Sequence, residues 1–396
     1  MKVAIIAYGH PDNVLCLAHY LAHYIDVTLI FVAGGDRFTK SIFDWDITKL
    51  NYGITSSQHI VKEYVGERIM KYIHPGLKIM IVRTPTLKIL KDWKRENAKY
   101  INAVASYIQN GQYDLIHFNG SSGFQLYFHF LLKKEPKVYT IHDYLPHSGE
   151  GTLKSRIVNR LQNKFYTRHD YDFIQHYHFL RRKFADYYRV PLRRVHNIYC
   201  GPLEVYRLFD RDHTREEPHT ILFFGRISAY KGIDYLIRAI PIIKKSIPDL
   251  KVIIAGKGHL SFDKIDSSSI EVHNHHISNE SLVHYIKQAS VVVVPYTDAT
   301  HSAVLMTAYA FTKPVVATAV GGIPEVVEDN VTGRLVKARD HDDLARAVVD
   351  LLEDREKRAM MKQNIERLSK GGKLSWHRIA KQTIDVYNKV IASHRV

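Results

Sequence analysis

The 396-residue chain is poor in cysteine, with only Cys16 and Cys200, far apart. Two thiols cannot make a zinc framework or a disulfide scaffold, and neither belongs to a CxxC pair. A disulfide between them is left open, with a reducing cytoplasm as the simpler reading. No apolar run approaches the roughly 18 residues of a membrane span. The opening MKVAIIAYGHPD carries a short apolar run closed by a turn signal. It reads as a first strand rather than a signal peptide. There is no repeat of solenoid period and no low-complexity tract. Acidic residues are in deficit: 40 Asp and Glu stand against 56 Lys and Arg, a net charge of +16. That excess points to an anionic partner, whether nucleotide phosphates, anionic lipid or nucleic acid. No recognised nucleic-acid module appears, so nucleic acid is the least favoured of these.

What is present is a repeated strand–turn–helix pattern. Apolar runs occur at 3–8, 27–32, 77–82, 115–118 and 137–141, and again at 221–224, 252–254, 270–272, 291–294, 315–317 and 334–336. Strands alternating with helices predict parallel sheets with right-handed crossovers. Two such series predict two doubly wound, Rossmann-like α/β domains facing a cleft. The polar, proline-bracketed segment 201–218 reads as the linker. The expected first domain is 1–205 and the second is 206–375, with a final helix from Trp376 over 376–396 completing the first.

The most informative stretch is ILFFGRISAYKGIDYLIRAI, residues 221–240. Ile221 to Phe224 predict a buried strand that Gly225 breaks. Ile233, Leu236, Ile237 and Ile240 have helical spacing. Arg226 and Lys231 lie in the loop between. The free amides and positive dipole end of the following helix would join these two cations in an anion site. The alternative is an ordinary strand–helix connection with surface cations.

The chain here resembles a retaining glycosyltransferase of family 4, with the GT-B fold. The resemblance rests on FFGRISAYKGIDYLIRAI, IAGKGH at 254–259, VVVVPY at 291–296, KPVVATAVGGIPEVVEDNVTGRLV at 313–336 and SW at 375–376. DLIHFNG at 114–120 and YTIHDY at 139–144 match the family's cleft-facing strand ends. The resemblance implies transfer of a sugar from a nucleotide-sugar donor, bound mostly by the second domain, to an acceptor bound by the first. It implies that Arg226 and Lys231 clamp the diphosphate and stabilise charge on the departing nucleotide, with no metal and no other cofactor. It also places His142 at a strand end in the cleft, against the donor sugar or in a backbone-assisted step.

Three features depart from the family or sharpen it. The family's paired glutamates fall here at Ala299 and Thr307, and both are missing. In their place a small-residue turn, Thr300 to Val304, predicts a helix running to Phe311. Ser302 would cap it. The amides of Ala303 and Val304 would then grip a phosphate, or Ser302 would merely cap. The first loop has one glycine, Gly9, followed by His10 and Pro11. Pro11 stiffens the turn, and His10 either enters the cleft or packs. Gly321, Gly322 and Pro324 suit close backbone approach, with Glu325 near a helix start. The donor-binding residues expected are thus Gly9, His10, Gly225, Gly256, Ser302, Ala303, Val304, Thr307, Gly322 and Glu325.

Other patterns are discounted. Asp44/Asp46, Asp170/Asp172 and Asp210/Asp212 match a DxD by chance, since no suitable strand precedes them. His273, His275 and His276 lack an acidic or cysteine partner and read as surface. His19 and His23 lack the HExxH glutamate. Residues 151–200 hold eleven Lys or Arg against three Asp. Leu153, Ile157, Leu161 and Phe165 predict one helical face, and Phe179, Phe184, Tyr187 and Tyr188 follow among Arg181, Arg182, Lys183 and Arg189. This surface, 153–194, would suit an anionic membrane, or be a solvated face over the core. The expected setting is cytoplasmic, with peripheral attachment to the inner face of the membrane. The expected partners are a nucleotide-sugar donor and a glycan or lipid-linked acceptor. Two other readings stand beside this: a partner-dependent, non-catalytic subunit, supported by the lost glutamates, and a sugar-nucleotide epimerase of the same fold.

Overall fold

A computed structural model describes residues 1–34, 49–85, 95–120, 124–142, 165–166, 169, 171–211, 213–259 and 269–394. It contains two sheets. The first runs β1 (Lys2–Ala7), β2 (Asp26–Gly34), β3 (Gly53–Thr55), β4 (Lys78–Thr84), β5 (Leu115–Asn119), β6 (Lys137–Thr140), β7 (Asp172–Gln175) and β8 (Val195–Asn197). Its spatial order is β3-β4-β2-β1-β5-β6-β7-β8, and all neighbours pair parallel except β3 with β4. The second sheet is wholly parallel: β9 (Thr220–Phe224), β10 (Lys251–Ala255), β11 (Ile270–His273), β12 (Val291–Val294), β13 (Val315–Thr318) and β14 (Gly333–Val336), in the order β11-β10-β9-β12-β13-β14.

The predicted runs become these strands because near-continuous apolar sequence can be covered by helices on both faces. Every residue of β9, β12 and β13 is buried. The helix Ile233–Ser246 buries Ile233, Leu236, Ala239, Ile240 and Ile243 on that sheet. In each sheet the chain reverses direction of travel beside its first strand, between β1 and β5 and between β9 and β12. Carboxyl ends of strands flanking such a switch point form a crevice that helices do not cover. The loops after β1, β5, β9 and β12 therefore carry the candidate site.

The final helix, Trp376–His394, packs on the first sheet's layer. Its Tyr387 hydroxyl lies 2.6 Å from Nδ1 of His117 in β5. The Trp376 indole donates to the Pro202 carbonyl at 2.7 Å. The strands β3, β7 and β8 had no apolar run to announce them. Each is three or four residues long and bears polar side chains.

Candidate functional site

Gly225 ends β9 with φ +103°, and its amide donates to Ala255 at 2.9 Å. Gly256 ends β10, and a Cβ there would stand 1.8 Å from the Gly225 carbonyl oxygen. No side chain fits between two loops held that closely. A Cβ on Gly225 would instead meet Val304 at 3.2 Å, so the β9 loop faces the start of the helix Ala303–Ala310. Ser302 caps that helix, as predicted, its Oγ accepting from the Leu305 amide at 3.2 Å. The amides of Ala303 and Val304 have no intrahelical acceptor.

Lys231 closes a short 3₁₀ turn, Ala229–Lys231, before Gly232 opens the next helix in the left-handed region at φ 68°. Gly232 is wedged on the loop after β12: a Cβ would lie 1.8 Å from the Pro295 carbonyl oxygen. The Lys231 ammonium donates to the Tyr296 hydroxyl at 2.6 Å and lies 3.9 Å from that ring's centre. Tyr296 is buried, which pushes its phenol pKa up, so it stays a neutral partner to the cation. The Ser302 Oγ is 3.5 Å from the same hydroxyl. Arg226, on the exposed side, donates to the Tyr230 hydroxyl at 3.3 Å. Two tyrosines thus hold the two cations. Neither was singled out in the sequence, because Tyr296 and Lys231 meet only when β9 and β12 pair.

Beside this lies a cavity of about 370 Å³, lined by Gly225, Arg226, Gly256, Lys257, His275 and Ile277 among others. His275 and His276 are exposed, as expected, and also line this cavity. His273 is occupied otherwise, 2.6 Å from Glu271. Asp172 binds His196 and Asp210 binds Lys287, while Asp44, Asp46, Asp170 and Asp212 lie outside the described residues. Among the described residues, no group of three His, Cys, Asp or Glu side chains is placed to hold a metal ion.

On the facing side, His10 takes the left-handed region at φ 51°, unusual for a non-glycine residue. This turns its ring onto His142, with centroids 4.0 Å apart, so His10 enters the cleft. Gly9 leaves open space beside Gly120. His142 is 4 % exposed. Burial holds its imidazole pKa well below the usual value, and the neighbouring His10, His176, His301 and His117 push the same way. His301 of the second sheet's layer comes within 6.2 Å of His142, ring to ring. His176 and His301 were not among the expected site residues.

Three expected donor contacts are placed differently. The Thr307 hydroxyl donates to the Ala303 carbonyl at 2.8 Å within its own helix. The Glu325 carboxylate accepts from the amides of His178 and Phe179 at 2.8 and 2.6 Å. It thereby caps the helix His178–Tyr188 that follows β7, joining the layers of the two sheets. The Tyr199 hydroxyl reaches the same carboxylate at 3.3 Å. Gly322 packs against Tyr177, where a Cβ would lie 2.4 Å from the ring. The segment 321–325 is thus tied to the first sheet's helices.

The basic stretch is only partly described, because Leu153, Ile157 and Leu161 lie outside the described residues. Phe184 and Tyr188 are buried, which corrects their reading as surface aromatics. Helix His178–Tyr188 turns them to the core and leaves Phe179, Arg182 and Lys183 outward, Lys183 lying 3.8 Å over the Phe179 ring. No described helix is long and apolar enough to cross a membrane.

Two family models match the chain: Glycosyltransferase Family 4 over residues 64–201 and Glycosyl transferases group 1 over residues 207–368. An uncharacterized glycosyltransferase of Methanocaldococcus jannaschii is 32% identical over 180 residues, 44% of this chain and 45% of the relative. The chain thus aligns with less than half the length of that curated relative. Sucrose-phosphate synthase from Thermosynechococcus elongatus superposes with a TM-score of 0.67 at 18% identity, covering 99% of this chain and 100% of the other. Anabaena HepE in complex with UDP gives 0.63 at 18% identity, over 98% and 100%. The two parallel-sheet layers and these neighbours establish the GT-B fold. Residues 64–201 are thus similar to Glycosyltransferase Family 4 and residues 207–368 to the group 1 glycosyl transferases.

Proposed function

We propose that the protein transfers a hexosyl unit from a nucleoside-diphosphate-sugar to a glycan or lipid-linked acceptor, with retention at the anomeric carbon. One observation carries the reading. Lys231, Arg226 and the first amides of helix Ala303–Ala310 converge at the switch point of the second sheet, next to a cavity of about 370 Å³. A diphosphate there would meet two fixed cations and the N-terminal ends of two helices. As the bond from the anomeric carbon to the diphosphate oxygen breaks, negative charge grows on the leaving group. Lys231 and Arg226, held by Tyr296 and Tyr230, would face that charge and so need little reorganisation when it forms. The nucleoside would occupy the cavity beside Gly256 and Ile277, and His142 and His10 would bound the sugar from the opposite side. The likeness to a UDP-bound neighbour supports a nucleotide donor in this chain as well.

A partner-dependent binding subunit is the second reading. Its support is that Ala299 and Thr307 supply no carboxylate where the family carries two. A screen of UDP-, GDP-, ADP- and CMP-sugars by thermal shift and donor hydrolysis, with and without EDTA, separates the two. The expected result is stabilisation and turnover with one donor class, unchanged by EDTA. Stabilisation without turnover favours the subunit reading, and no response to any donor overturns the transferase.

Peripheral membrane attachment through the basic stretch belongs to the same proposal. Its described part includes the exposed Phe179, Arg182, Lys183 and Arg189. The protein is expected to float with anionic vesicles at low salt and to be released as salt rises. No flotation at low salt removes the membrane from the proposal.

A further inference from the structure

We infer that Asn274 is a positioning residue for the nucleoside: it ties together two loops that line the cavity of about 370 Å³ and so sets the cavity's width. Its role rests on the transferase reading, which puts the nucleoside in this cavity, while the tie itself stands on geometry.

Strands β11, β10 and β9 lie side by side in that order, and the loops at their carboxyl ends line the cavity. Backbone pairing continues past the strands. The Gly225 amide donates to the Ala255 carbonyl at 2.9 Å, and the Ile227 amide to the Lys257 carbonyl at 3.0 Å. On the other side of β10 the Gly256 amide donates to the His273 carbonyl at 3.0 Å. Ala255 and His273 are the last register pair of β10 and β11. Beyond that pair the two chains supply different parts of the lining. Gly256 and Lys257 come from the β10 loop, and His275, His276 and Ile277 from the β11 loop.

Asn274 stands where the two chains part. Its side-chain oxygen accepts from the Gly258 amide at 3.0 Å, and its side-chain nitrogen donates to the Gly258 carbonyl at 3.0 Å. A carboxamide has one accepting oxygen and a donating nitrogen, so it can stand in for the peptide groups of a strand partner. Gly258 is also seated on the β9 loop. It forms a parallel bridge with Ile227, and a Cβ on it would lie 1.9 Å from the Ile227 carbonyl oxygen. Three loops are therefore laced together at Gly258, and the Asn274 side chain makes the lacing to the third. Asn274 and Gly258 are both exposed, so the tie acts on the rim of the cavity and not through the core.

A nucleoside lying between Gly256 and Ile277 touches both loops. Loops free to spread would have to be ordered when it binds, and that ordering costs affinity. The Asn274 tie puts the order in place beforehand.

Asn274→Ala removes both bonds at an exposed position, so the variant is expected to fold and to melt close to the unmodified protein. Hydrogen–deuterium exchange across residues 256–259 is expected to rise in it. Titration with UDP, GDP and ADP is expected to show a Kd raised on the order of threefold to tenfold for the nucleotide that binds, the scale of one net hydrogen bond. Inorganic pyrophosphate, which would meet Arg226, Lys231 and the start of helix Ala303–Ala310, is expected to bind both proteins alike. In turnover the KM for the donor should rise with the Kd, and kcat should fall much less. Asn274→Asp keeps an acceptor for the Gly258 amide but has no hydrogen for its carbonyl, and is expected to fall between the two. Unchanged exchange across 256–259 overturns the tie. An unchanged nucleotide Kd in a variant whose exchange has risen overturns the positioning role, as does a pyrophosphate Kd raised as much as the nucleotide's. Failure of the unmodified protein to bind any of the three nucleotides overturns the transferase reading and the role resting on it, while the exchange measurement still decides the tie.

Discussion

Lys231→Ala is expected to turn over its donor at least about a hundredfold more slowly, with a much smaller change in KM. Removing one preorganised donor at a developing oxyanion typically costs a factor of 10² to 10³. Lys231 has the features that put it at the upper part of that range. Its ammonium is half-buried, fixed to the Tyr296 hydroxyl at 2.6 Å and lying over that ring at 3.9 Å. The turn that carries it cannot drift, because Gly232 is seated against the Pro295 carbonyl. Charge held in a partly desolvated place acts on the leaving group with less screening than charge in water. Arg226 is exposed and reaches Tyr230 at 3.3 Å, so it contributes less. Steady-state kinetics on the two alanine variants, with folding checked by thermal melting, reads the difference. Near-normal kcat in a folded Lys231→Ala protein removes the leaving-group role.

Acid is expected to weaken the fold through His117. This residue is fully buried in β5, its Nδ1 2.6 Å from the Tyr387 hydroxyl and its Nε2 2.7 Å from Thr140 Oγ1. Burial lowers its pKa from the usual 6.5 to about 3, with His176 adding to the shift. The folded value is below the unfolded one, so the unfolded chain takes up the proton first. Stability from this group is complete above about pH 6.5 and is lost as the pH falls from there toward 3. Between pH 7 and pH 4.5 the loss from His117 is about 3 kcal/mol at 1.36 kcal/mol per unit. His19 and His129, each lowered to about 4 by burial first and by neighbouring charges second, act over the same window. Denaturant unfolding at several pH values, for the native protein and for His117→Asn, reads the term. The variant should show a slope shallower by about 3 kcal/mol over that interval. Equal slopes would mean that His117 does not titrate with unfolding.

Much of this was legible in the chain, and the limit has a physical cause. Strands such as 221–224 and 291–294 were readable because a strand covered on both faces must be apolar throughout. The Ser302 cap was readable because a cap depends on residues three apart. What stayed hidden depends on pairing between distant strands. Tyr296 meets Lys231 across 65 residues, and His176 meets His142 across 34. Nothing within either local segment encodes the partner. The partners of Glu325 were hidden for a related reason: its carboxylate caps helix His178–Tyr188 of the other layer, some 147 residues away. Phe184 and Tyr188 misled because aromatic residues among arginines look alike whether the helix turns them in or out.

The two passages of chain between the layers meet each other. The first runs through Gly201 and Pro202, and the second enters the last helix at Trp376. The Trp376 indole is bonded to Pro202, and its ring lies so close to Gly201 that a Cβ there would stand 2.6 Å away. Two separate straps would hold the halves like a pair of parallel ties, resisting both tilt and twist. Here the straps are joined to each other, and Glu325, bonded to the amides of His178 and Phe179, ties the same two layers at a second place. Any side chain at residue 201 would drive the Trp376 indole off the Pro202 carbonyl and part the straps, away from both faces of the crevice.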